Sequence, residues 1–390
     1  MPVINRFADL ADEITAWRRD IHMHPELGFD VHRTAGLVAE KLRAFGCDEV
    51  VEGIGLTGVV GVIKGQATGS GKVVGLRADM DALPIHERRD IPHKSTVPGK
   101  MHACGHDGHT AMLLGAAKYL SETRNFDGTA VVIFQPAEEG EGGGRAMVED
   151  GMMERFGVER VFGMHNMPGI PEGQFALRPG PLMAAADKFT IHVEGKGGHA
   201  AKPHLAVDTM VVAAHLITAL QSIVSRNVDP IENAVVSVCT IETDSGAHNV
   251  IPQTVVMRGT ARTLSPAIQD IVEARLAETV ETIARAFGAT ARLEYSRDYP
   301  VTANDPAEAE FAADVARQVV GDAVDPNAPP VMGGEDFSFM LNARPGAFVF
   351  LGQGEGANVH HPDYDFNDGI IPVGCSYWAR LTETAMPLAR

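Results

Sequence analysis

Thr129-Ala130-Val131-Val132-Ile133-Phe134 runs without a break into Gln135-Pro136-Ala137-Glu138-Glu139-Gly140. The first half is short, continuously apolar and β-branched, which describes a strand buried on both faces. Proline and glycine then stop it, and the stop carries two adjacent carboxylates. Working outward, the same pattern recurs. Val73-Val74-Gly75-Leu76-Arg77-Ala78-Asp79 ends at Asp79-Met80-Asp81, Val161-Phe162-Gly163-Met164 at His165-Asn166, and Gly346-Ala347-Phe348-Val349-Phe350-Leu351 leads to His360-His361. Helical periods separate these strands: Leu10, Ile14, Trp17 and Ile21 mark one, Leu37, Val38 and Leu42 a second that Thr34 could cap, and 108–120 a third. Buried strands alternating with helices give an α/β fold with a mainly parallel sheet. All the chemically suggestive residues follow carboxyl ends of strands, the edge where open α/β sheets place ligands.

Before the third helix stands Met101-His102-Ala103-Cys104-Gly105-His106-Asp107-Gly108-His109. A lone cysteine and histidine are as often structural as functional. Thiolate and imidazole at this density, with further donors at neighbouring strand ends, suit zinc or a similar divalent ion. His102 and His109 are the weaker candidates. Of Glu138 and Glu139, one could hold a metal and the other serve as general base. His165 and one of His360 and His361 complete the donor set, and spacing does not distinguish the latter two. Asp79 and Asp81 could orient ligand histidines. His22 and His24 end a helix and read as packing or cleft wall.

The chain has 390 residues, 45% hydrophobic, enough for two or three domains. A formal charge of −18 argues against nucleic acid or an anionic membrane as partner. Cys47, Cys104, Cys239 and Cys375 show no framework spacing, which points to a reducing, cytoplasmic setting. The N-terminus lacks a signal-peptide pattern, and no apolar run reaches the ~18 residues of a membrane span. Gly53-Ile54-Gly55-Leu56-Thr57-Gly58 matches a dinucleotide fingerprint by spacing, but Val59-Val60-Gly61-Val62-Ile63 after it reads as strand where that motif needs a helix. It reads as a turn between strands.

The middle of the chain has a different rhythm. Strands over about 189–193, 234–241, 253–263 and 290–296, with helices over about 207–226 and up to 287, make a β-α-β-β-α-β order. This predicts a smaller ferredoxin-like α+β domain at 186–296, inserted into a catalytic domain made of 1–185 and 297–390.

Taken in order, Arg18–Gly28, Gly75–Pro84, His102–Leu114, Phe134–Gly140, Gly163–Pro168, Gly197–Pro203, Asn249–Gln253 and Gly333–Ser338 resemble the motif series of the hippurate hydrolase group. That group includes N-acyl-L-amino-acid amidohydrolases and auxin-conjugate hydrolases, within the di-metal aminoacylase and carboxypeptidase family. The resemblance implies two divalent ions, zinc or manganese, held by Cys104, His106, Glu139, His165 and His361. It implies Glu138 as general base and His199 as oxyanion donor, often acting in a partner subunit. Asn249, Arg262 and Gly334 would hold the substrate carboxylate; a bidentate arginine suits that task. The smaller domain carries dimerisation in relatives, so a homodimer or homotetramer is expected. The implied reaction is hydrolysis of N-acyl or N-aroyl amino acids. A carboxypeptidase or dipeptidase with the same machinery is the near alternative, and a metal-binding protein without catalysis the distant one.

Overall fold

The computed structural model describes residues 4–389. They divide into two units. The larger comprises the residues up to Leu182, Ala303–Pro329 and those from Asp336 on; the smaller comprises Met183–Thr302 and Pro330–Glu335.

The larger unit is built on a sheet whose strands lie in the order Glu49–Ile54, Gly58–Lys64, Thr129–Gln135, Val73–Asp79, Arg160–Met167, Gly346–Gly352, Phe175–Ala176, Val324–Asp325. The central strands Thr129–Gln135, Val73–Asp79, Arg160–Met167 and Gly346–Gly352 are mutually parallel. Their residues are almost all buried, which is why they read as unbroken apolar runs. Glu49–Ile54 and Gly58–Lys64 form an antiparallel hairpin, so the glycine-rich run between them is a turn. Helices Asn5–Met23, His106–Thr123 and Ile371–Ala385 pack on one another and, with Phe7, Ile14, Leu113, Leu120, Trp378 and Leu381, fill the core beside the sheet.

Two local expectations change. Thr34 does not cap its helix, which starts at His32; the Glu26 carboxylate accepts from Arg33 N at 2.9 Å and Thr34 N at 2.8 Å instead. A carboxylate from the preceding loop satisfies free amides at a helix start as well as a local cap would. His165 and Asn166 do not follow their strand but lie inside it, within Arg160–Met167.

The smaller unit has a four-stranded antiparallel sheet in the order Ala234–Thr243, Thr254–Thr263, Ala185–Glu194, Thr290–Tyr299. Helices Thr209–Ser222 and Pro266–Ala286 pack against it, in β-α-β-β-α-β order. The stretch Thr209–Asn227 has the length and mean hydropathy, 1.2, of a membrane span. Its Val212, Ala213, Leu216, Leu220 and Ile223 are buried in this unit's core, which accounts for its apolar character.

Candidate metal centre

The donors converge where the parallel strands end. The ligand atoms of Cys104, His106 and His165 lie within 4.8 Å of one another, as do those of Cys104, Glu139 and His360, and those of His106, Glu138 and Glu139. Cys104 Sγ is 3.3 Å from His165 Nε2. Each group is held by a local device. Gly105 adopts φ +94° and opens the helix that begins with His106; a Cβ there would come 2.1 Å from Asn166 Oδ1. Only glycine satisfies both conditions. Ala137 sits buried at φ +55°, a strained setting for a residue with a Cβ, and turns the chain so that Glu138 and Glu139 leave the strand end together. Asp81 accepts from the amides of both Glu138 and Glu139 at 3.0 Å and locks that turn.

The histidines are prepared as ligands. His165 Nδ1 donates to the Asn166 carbonyl at 2.6 Å, which leaves Nε2 unprotonated and facing Cys104. Neither ring nitrogen of buried His106 makes a hydrogen bond of normal geometry. Carboxylate oxygens of Asp81, Asp79 and Glu139 lie 3.4, 3.7 and 3.9 Å from it. Burial opposes charge on His106, but Asp79, Asp81 and Glu139 outweigh it and push its pKa up to about 10. Burial, reinforced by Glu139, Glu138 and Asp79, holds the Cys104 thiol well above its ordinary range. A buried basin of carboxylates that raises the pKa of both His106 and Cys104 is a basin that lacks positive charge. A thiolate, imidazoles and a carboxylate around it match a divalent ion of borderline softness, so the donor set fits such ions.

Asp79, expected to orient a ligand histidine, bonds groups outside the expected ligand set. It accepts from His109 Nδ1 at 2.6 Å and from Arg77 at 2.7 Å. Asp81 mainly serves the Glu138–Glu139 turn. His109, read as a weak candidate, bridges Asp79 and Asn166, whose Oδ1 is 2.7 Å from Nε2. Its spacing of three from His106 on one helix was the available signal. Arg77 gains its place at the site only with the fold. It is buried and joins Asp79 to Asp336, 3.0 Å away. An arginine inside an apolar strand run was the clue.

One expected ligand is corrected. His360 Nε2, not His361, lies 3.2 Å from Glu139 Oε1. His361 Nδ1 instead accepts from Asp363 N at 3.1 Å, with the Asp363 carboxylate 3.7 Å away. The backbone decides between them: His360 takes φ +64° and its amide donates to the Ala103 carbonyl at 2.7 Å, aiming its ring at the donor cluster. His360→Ala is therefore expected to weaken binding of one metal ion, and His361→Ala to leave metal content unchanged. Metal analysis of the two purified variants checks this; equal loss from both reverses the correction.

In the smaller unit, His199 and Asn249 lie on adjoining paired segments. His199 pairs with Val250, and Ala200 N donates to the Asn249 carbonyl at 3.0 Å. His199 Nδ1 accepts from Ala201 N at 3.1 Å, which leaves Nε2 as the donor of an exposed ring. Arg262 is half-buried on its strand, and among the described residues its side chain has no ion pair or hydrogen bond. A Cβ on Gly334 would stand 3.0 Å from its guanidinium, so glycine leaves that surface open.

The model of peptidase family M20/M25/M40 matches residues 75–384. The hippurate hydrolase of Campylobacter jejuni is 44% identical over 98% of this chain and 98% of its own. Thermostable carboxypeptidase 2 of Saccharolobus solfataricus is 41% identical over 90% of each chain. Among solved structures, a dinuclear metal-binding M20 peptidase from Bacillus subtilis superposes with a TM-score of 0.85 at 34% identity, over 97% of this chain and 98% of that one.

Proposed function

The chain belongs to peptidase family M20/M25/M40, and on that premise we propose that it is a metal-dependent amidohydrolase cleaving N-acyl or N-aroyl amino acids to a carboxylic acid and a free amino acid. The observation that carries this reading is the adjacency of Glu138 to a complete soft-and-hard donor set on one sheet edge. Cys104, His106, His165, Glu139 and His360 would hold two divalent ions, zinc or manganese. Such ions lower the pKa of water and polarise a scissile carbonyl. Glu138 takes the proton of the attacking water and passes it to the leaving amine. His199 donates from Nε2 to the oxygen that gains negative charge, as preorganised donors do. Arg262, with Asn249 and the open backbone at Gly334, holds the free carboxylate of the amino acid, which a planar guanidinium can grip at two points.

We place the enzyme in the cytoplasm, a setting supported by four unpaired cysteines. We assign the smaller unit the role of lid and dimerisation element of a homodimer or homotetramer. A carboxypeptidase reading is favoured by the carboxypeptidases of Saccharolobus solfataricus among the relatives. A panel of N-benzoyl, N-acetyl and indole-acetyl amino acids beside unblocked dipeptides decides between them. Assayed on metal-stripped protein with zinc, manganese or no metal added, release from a blocked class is the expected result. Cleavage of dipeptides alone would move the assignment to peptidase.

A further inference from the structure

We infer that Arg18, which touches none of the metal-ligand atoms, is a positioning residue that sets the distance between the two halves of the metal centre. Arg18 lies on the helix Asn5–Met23 with its side chain wholly buried. On one side its Nη1 is 3.5 Å from Asp107 Oδ2. Asp107 follows the ligand His106 in the chain, and the same carboxylate oxygen bonds His22 Nδ1 at 2.8 Å. Arg18 and His22 are four residues apart, so one helix face presents both groups. On its other side Arg18 is 2.7 Å from Asp368 and 3.6 Å from Asp365. His93 adds a second hold on Asp365 at 3.0 Å.

Asp365 and Asp368 lie on the segment that descends from His360. That segment has further attachments. Arg88 N donates to the Pro362 carbonyl at 3.0 Å, and the Arg88 guanidinium pairs with Asp363. The Arg88–Asp363 pair is exposed, whereas the Arg18 side chain is fully buried. One guanidinium thus ties the helix start bearing His106 to the loop bearing His360. Burying an arginine among carboxylates adds little net stability compared with apolar packing. Three carboxylates gripped at once by a rigid, planar cation do fix geometry. His360 needs such a fix, because it sits at φ +64° on a loop rather than on a strand or helix.

The inference rests on the two-ion reading above. The test uses the full chain loaded with zinc, and separately with cobalt. Dissociation constants for each ion come from competition with a chelator, and the cobalt–thiolate absorption reports Cys104. Arg18→Gln is expected to weaken one ion by about 10–100-fold, the usual cost of removing a group that orients a ligand, while the thiolate absorption stays. Asp368→Asn leaves the Arg18–Asp107 contact in place and sits at the partly exposed end of the clamp. It is expected to weaken the same ion in the same direction, and it carries the test if Arg18→Gln fails to fold. Unchanged affinities in a variant whose wild type binds two ions overturn the role of Arg18 alone, as does an equal loss of both ions. A wild type that binds fewer than two ions overturns the two-ion reading and this inference with it.

Discussion

Glu138→Gln is expected to lower turnover by about 100-fold or more while metal content stays at the wild-type level. The amide matches the carboxylate in size and keeps its place on the turn, because Asp81 holds the backbone amides of 138 and 139 rather than their side chains. What it loses is the ability to take a proton. Turnover measured beside bound metal per chain separates this effect from a collapsed site. Activity within a few-fold of wild type would remove Glu138 from the mechanism, and loss of metal would make it a ligand instead.

Removing the metal is the second large effect. Stripped protein is expected to have no measurable amide hydrolysis and a lower melting temperature. Asp79, Asp81, Glu138 and Glu139 share one largely buried basin, with His106 and Arg77 as the cations among them. Carboxylates left without sufficient counter-charge in such a place are costly. An ion present at 100 times its dissociation constant adds about 2.7 kcal/mol to stability. At about 2 °C per kcal/mol for a large domain, chelation shifts the transition by roughly 5 °C. Thermal unfolding with and without chelator, followed by titration with zinc or manganese, checks both parts. Recovery of the melting temperature with either ion but of turnover with only one would identify the working metal. An unchanged melting temperature with full activity after stripping would remove metal from the site.

Much of this protein is written in local sequence. Continuous apolar runs such as Thr129–Phe134 specify strands buried on both faces, and a sheet of that kind is parallel because helices must cover it. The donor types are equally plain, since cysteine, histidine and adjacent glutamates at strand ends have few other uses. The middle segment declares its separate sheet through alternation, a period that a doubly covered strand does not show.

What local sequence leaves open is direction. His360 and His361 are neighbours of the same type, and only a left-handed backbone angle, held by the Ala103 carbonyl, turns the first toward Glu139. Asp81 is two residues from Asp79, yet one closes the glutamate turn while the other bonds His109. Nothing in the helix around Arg18 names its partners, the carboxylates of Asp107, Asp365 and Asp368 that surround it in the fold. Side-chain chemistry is a property of each residue and can be read along the chain. The aim of a side chain depends on dihedral angles and on partners hundreds of positions away, and those exist only once the chain has folded.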